Sequence, residues 1–211
     1  MEHQKTVAII IAHPDDEILW CGGTLIDHPE WECFVICLCR KNDPDRSPRF
    51  YRVLEKINAK GAMADLDDGP EQLPLDQHNI KRVIKALMPP NHYDLVISHS
   101  PAGEYTRHRR HEEVSEAVIH LWHTGQIDIA ELWTFAYGDG GGKHLPQPIQ
   151  TADLYFNLTN DTWQKKYELI NTEYNFSKDS WEARTTPMAE AFWRFPNSTS
   201  AMNRLAAEQN L

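Results

Sequence analysis

The chain has 211 residues, 41 % of them hydrophobic and 25 % charged, with a formal net charge of −10. Those figures fit one ordinary globular domain; they speak against a nucleic-acid partner, which needs a basic face, and against docking on anionic membranes. No apolar stretch nears the roughly 20 residues that span a bilayer, and a strand begins where a leader would sit, so the expectation is a cytoplasmic protein without membrane insertion.

The first element is a strand over residues 6–12, where Val7-Ala8-Ile9-Ile10-Ile11 is the unbroken apolar run of a buried parallel strand. A helix over 18–27 follows, then a strand over 34–39. The next helix, over 48–61, places Val53, Leu54 and Ile57 at helical spacing and Gly61 as its C-cap. A helix over 77–88, a strand over 94–98 and a helix over 111–123 continue the alternation. Strands over 129–137 and 151–158 and a helix over 161–173 close it. Strands separated by helices of this length give βαβ units and a mainly parallel sheet, an α/β fold.

Residues 1–175 carry this pattern. Residues 176–211 hold Phe176, Trp181, Phe192, Trp193 and Phe195 without clear periodicity. They read as a C-terminal extension of the same domain that packs on the body or covers a second subunit, which leaves a homo-oligomer open. Cys21, Cys33, Cys37 and Cys39 lack Cys-x-x-Cys spacing and read as buried reduced thiols. Gly138-Asp139-Gly140-Gly141-Gly142-Lys143-His144 lacks the spacing and the Ser/Thr of a phosphate loop. It reads as a loop bordering the cleft, with His144 as a substrate contact.

Ala12-His13-Pro14-Asp15-Asp16-Glu17 leaves the first strand at its carboxyl end, where open α/β sheets form their reactive crevice. His13 and Asp16 are a natural ligand pair for zinc or a similar divalent ion, and Asp15 is left free for proton transfer. The plain alternative is an acidic helix start. A distant ligand decides between them, and the segment 104–113 offers one. His108 and His111 are spaced i, i+3, so both can face one side where a helix begins. With His111, the set becomes two histidines and a carboxylate, an arrangement suited to hydrolytic zinc and also found with non-haem iron. His99, just past the strand over 94–98, is a candidate to orient a ligand. Arg107, Arg109 and Arg110 either clamp a phosphate or carboxylate on the substrate or pair with Glu112 and Glu113.

Ala-His-Pro-Asp-Asp-Glu with Gly22-Gly23-Thr24-Leu25, and His-x-x-His later in the chain, resembles the PIG-L/LmbE family of metal-dependent N-acetylglucosaminide deacetylases over residues 6–173. The resemblance implies a single Rossmann-like domain with helices on both faces of the sheet. It implies a zinc cofactor, with Fe2+ or another divalent ion as alternatives, and a metal-bound water that attacks an acetamide to release acetate and a free amine. By position, His13, Asp16 and His111 are the implied ligands and Asp15 the general base. His108 is implied in oxyanion stabilisation or acid help, and Arg52 in contacts to sugar hydroxyls. The implied partner is a small-molecule amino-sugar conjugate, anionic if the arginines serve as a clamp. The other readings are an amidase on another N-acyl or thiol-conjugate substrate, a metal oxygenase, and a non-catalytic binding module. Trp20 stands where the family usually has glycine. Arg109-Arg110 replace the usual Pro-Asp, and Thr106 stands where a tyrosine is usual.

Overall fold

The computed structural model describes residues 4–106 and 108–210. Its centre is β1 (Thr6–Ile11), whose residues from Val7 to Ile11 are fully buried. Parallel neighbours on both sides, β2 (Glu32–Cys39) and, further on, the strand over Leu95–Ser98, leave it no face for water. Between β1 and β2 runs α1 (Asp16–Asp27), and between β2 and β3 (Lys60–Leu66) runs α2 (Arg46–Lys56). Then come α3 (Gln77–Leu87), β4 (His92–Tyr93), β5 (Leu95–Ser98), α4 (Arg109–His123), β6 (Asp128–Ile129), β7 (Leu132–Phe135), β8 (Tyr137–Gly138), β9 (Gln147–Pro148) and β10 (Leu154–Asn157). The chain ends through α5 (Asn160–Glu168), a π-helical turn (Leu169–Glu173), α6 (Trp181–Thr185), β11 (Ala189–Phe195) and α7 (Ser198–Glu208).

The main sheet has the order β10-β11-β7-β5-β1-β2-β3. All pairings from β3 to β7 are parallel, whereas β11 runs antiparallel between β7 and β10. The order reverses at β1, so the helices before the reversal, α1 and α2, lie on one face and those after it, α3 and α4, on the other. Val7, Ile9 and Ile11 meet Ile18, Leu25, Phe50 and Leu54 of α1 and α2 on one side. Ala8 and Ile10 meet Ile80, Ile84, Val118 and Leu205 of α3, α4 and α7 on the other. This is the α/β architecture expected, and the crevice at the reversal lies outside the carboxyl ends of β1 and β5.

β3 and α7 are additions to the expected elements and the strand expected over 129–137 is broken into β6, β7 and β8, but two departures bear most on the packing. The helix expected to run to Gly61 ends at Lys56, and Asn58, with φ of 55°, makes the left-handed turn assigned to a glycine cap. Gly61 lies inside β3, where a Cβ would stand 2.5 Å from both Leu54 Cδ1 and the Val35 carbonyl oxygen. Close packing, and not capping, requires glycine there. The second is β11, which turns the aromatic segment into a sheet strand. Phe192 pairs in register with Phe135, and the Trp133 and Phe192 rings lie 5.4 Å apart. The four cysteines are free and buried, and burial pushes their thiols up, which makes them inert. No helix among the described residues is long and apolar enough to cross a membrane.

Candidate metal centre

The turn after β1 carries strain. Asp15 has φ of 121°, a conformation uncommon outside glycine. Its amide donates to Glu17 Oε2 at 3.1 Å, and Glu17 in turn receives the Tyr174 hydroxyl on its other oxygen. Glu17 is wholly buried, and burial pushes its carboxyl up to about 8. The final residue of the acidic motif therefore holds the loop, while Asp15 and Asp16 face the crevice.

His13 Nδ1, Asp16 Oδ2 and His111 Nε2 form a nearly equilateral triangle with edges of 3.2, 3.3 and 3.5 Å. Ligands about 2.0–2.1 Å from a tetrahedral zinc stand about 3.3 Å apart, so this donor set fits the ion without rearrangement. Each donor is held from behind. Asp68 Oδ1 lies 3.2 Å from His13 Nε2, which leaves Nδ1 to face the centre. The indole of Trp20 donates to Asp16 Oδ1 at 3.0 Å, so Oδ2 turns inward. Glu104 Oε2 takes the Nδ1 proton of His111 at 2.5 Å and leaves its Nε2 lone pair free. These carboxylate–histidine pairs are the backing that tunes metal sites.

His99 Nδ1 donates to Glu104 at 3.0 Å, while its Nε2 accepts the Ala12 amide. That lone pair is spent on the β1 backbone, so His99 is a prop and not a ligand. Its ring stacks 3.8 Å from His111. Burial would raise Glu104, but His99 and His111 hold it at about 2. Replacing Glu104 by Gln removes one acceptor for these two histidines. Metal affinity, read by competition with a chromogenic chelator, is expected to fall about 10–100-fold.

The remaining charges set the protonation pattern. Burial alone would lower His13, but Asp16 and Asp68 hold it up at about 10, so an entering cation displaces a proton. Burial pushes His111 down, and it stays neutral. Burial and neighbouring Asp16 push Asp15 up to about 7, against the pull of Arg46, whose Nη1 donates to Asp15 Oδ2 at 3.0 Å. His108 caps α4, its ring 4.1 Å from His111 and 4.8 Å from His13. Burial and those two histidines push it down to about 3.

A cleft of about 270 Å³ opens over His13 and Asp16 of the triad, bordered also by Asp15, Arg46, Tyr105, His108, Trp181 and Glu182. Larger cavities of about 420 and 700 Å³ contain no member of the triad. Location at the strand ends marks the site here, and size does not. Among the described residues the candidate metal groups are His13, His108 and His111, and Asp16, His99 and His111, both in this crevice.

Other residues singled out in the sequence lie elsewhere. Arg52 is on the exposed face of α2, and Arg46 of the same helix reaches the cleft. Asp43 accepts the amides of Asp45 and Arg46 and starts that helix early, at Arg46. Arg109 is exposed at the start of α4. Arg110 is buried and grips Glu113 and the carbonyls of Asp67 and Leu73, so it ties down the loop that bears Asp68. Arg107 lies outside the described residues. His144 is exposed and bonded to the Leu145 carbonyl. Its loop acts through Asp139, which accepts the amide and hydroxyl of Thr106. Asp68, Glu104, Trp20 and Arg46 carried no role in the sequence reading.

Residues 8–122 match the PIG-L family, GlcNAc-PI de-N-acetylase, and the chain belongs to that family. Protein L374 of Acanthamoeba polyphaga mimivirus, itself uncharacterized, is 25 % identical over 152 residues, 64 % of each chain. The chain thus spans under two thirds of that relative's length. The fold is similar to that of N,N'-diacetylchitobiose deacetylase from Pyrococcus horikoshii (TM-score 0.69, 16 % identity, 91 % of this chain and 84 % of that one). It is also similar to GalB, the 4-carboxy-2-hydroxymuconate hydratase of Pseudomonas putida KT2440 (TM-score 0.62, 17 % identity, 92 % and 97 %). A deacetylase of teicoplanin biosynthesis gives a TM-score of 0.62 at 14 % identity, over 90 % and 97 %. At these identities the likeness speaks for the fold.

Proposed function

We propose that this protein is a divalent-metal-dependent N-deacetylase that removes the acetyl group from an N-acetyl amino sugar or its conjugate. The observation that carries the reading is the triangle of His13, Asp16 and His111 with the Asp15 carboxyl beside it. Membership of the family supports it. Zinc fits the donor set, two imidazoles and a carboxylate with room for a fourth ligand.

When bound, the ion supplies a water acidified toward neutrality and polarises the acetamide oxygen. The protein does the rest. Asp15 takes the proton of the attacking water and delivers it to the nitrogen of the departing amine. Arg46 holds Oδ2 of Asp15, which leaves Oδ1 for that exchange. His108, neutral at working pH, lines the cleft and donates a ring N–H to the oxygen on which charge develops.

The test is metal content of the purified protein, with acetate release from N-acetylglucosamine conjugates before and after chelation. Near-stoichiometric zinc or iron and release abolished by chelator are expected. Bound metal without release would move the reading to another amide, and absence of metal would overturn it.

A further inference from the structure

The cleft has one wall that the mechanism leaves idle. Trp181 and Glu182 open α6 and border the crevice over His13 and Asp16. Trp181 is 37 % exposed, high for the largest side chain. Its ring is fixed edge-on by Tyr105 at 4.9 Å and by Trp20 at 6.3 Å. A broad apolar face held at the rim of a polar cleft is what a sugar ring stacks on, since its C–H face is apolar and its edge is polar.

Glu182 stands beside that face. Among the described residues its carboxylate has no hydrogen-bond or ion-pair partner, although its charge acts on both Asp15 and Tyr105. Among the described residues the arginines that line the cleft are already engaged. Arg40 grips Asp68 through two nitrogens, and Arg46 holds Asp15 and lies over the Phe176 ring at 4.4 Å. A divalent ion together with these two arginines balances Asp15, Asp16, Asp68 and Glu182, so the described residues leave no surplus positive charge for an anion. Ligand pockets commonly run about 300–1,000 Å³, and about 270 Å³ holds one ring with the remainder of the molecule outside.

We infer that Trp181 and Glu182 form the recognition wall for an uncharged sugar ring. Trp181 stacks on its face, Glu182 accepts its hydroxyls, and anionic conjugates are turned away. This deepens the deacetylase reading and rests on it for the reaction.

The probes are p-nitrophenyl N-acetyl-β-glucosaminide and its 6-sulfate. Acetate release is measured with the metal-loaded enzyme, and binding is measured by calorimetry on metal-loaded Asp15→Asn protein. The wild type is expected to favour the neutral probe by about tenfold or more, as a close like charge requires. Glu182→Gln should bring the two probes to within about threefold of each other. Trp181→Ala should raise KM and Kd about tenfold with kcat little changed, and Trp181→Phe should recover most of the loss. Preference untouched by Glu182→Gln, Kd untouched by Trp181→Ala, or no binding of either probe would overturn the wall. Trp181- and Glu182-dependent binding without acetate release would uphold the wall and overturn the deacetylase reading instead.

Discussion

Replacing Asp15 by Asn is expected to cut kcat by about 10²–10⁴-fold while leaving metal content unchanged. Asn is the right substitution because Asp and Asn are the residues that best tolerate a positive φ, and the 121° at this position would punish most others. The amide keeps an oxygen for Arg46 and removes only the capacity to carry a proton. Asp16→Ala should act in the opposite sense. It removes the inward oxygen of the triangle and strands the Trp20 indole N–H, so metal itself should be lost. Metal analysis beside single-turnover kinetics separates the two, and equal metal loss in both variants would refute the division of labour.

The same pair of variants fixes a pH dependence. A general base works ionised, so activity rises as pH climbs through its pKa. Burial and Asp16 put that value at about 7 in the metal-free site, and a bound cation draws it lower. The acid limb of the kcat/KM profile is therefore expected at or below pH 7, and it should vanish in Asp15→Asn.

His13, Asp15 and Asp16 were legible because they sit at the end of a strand whose apolar run is unmistakable, and His111 because it forms a His-x-x-His pair with His108 where a helix begins. Their supports were not. Asp68 follows β3, an edge strand in which Met63 is the one buried large side chain. Lys60-Gly61-Ala62-Met63 thus carries little of the signal that announced β1. Glu104 lies in a loop, and only the fold shows that one carboxylate serves two imidazoles, those of His99 and His111. Trp20 stands out as a ring where the family usually has glycine, but its indole bond to Asp16 depends on a rotamer. Arg46 lines the cleft and Arg52 does not, because the helix begins before Pro48, where Asp43 accepts the Arg46 amide. β11 stayed hidden because its neighbours in the sheet lie far from it in sequence.

One further pairing was invisible in the sequence and ties α1 to α5 and β11. Lys166 and Glu190 are both wholly buried, with Nζ 2.6 Å from Oε1. The carboxylate also accepts the amides of Gly23 and Thr24 and the Thr24 hydroxyl, at 2.6–2.7 Å. Gly23 cannot carry a side chain, because a Cβ there would lie 2.4 Å from Leu158 Cδ2. Gly23 of the motif thus lets the helix carrying Asp16 approach Leu158, just after β10, and Glu190 of β11 closely. Lys166→Met keeps the aliphatic stem and deletes the charge, leaving a buried carboxylate without its cation. Such a break costs about 3–5 kcal/mol. At about 2–4 °C per kcal/mol for a domain of this size, the melting temperature should fall by roughly 10 °C. In the double variant Lys166→Met/Glu190→Gln the uncompensated charge disappears while one oxygen remains for the helix amides, so part of the loss should return. The cycle, measured by urea unfolding, then gives a coupling above about 1 kcal/mol. Additive losses would mean that the four donors to Glu190 act independently, and that the lysine merely fills space beside them.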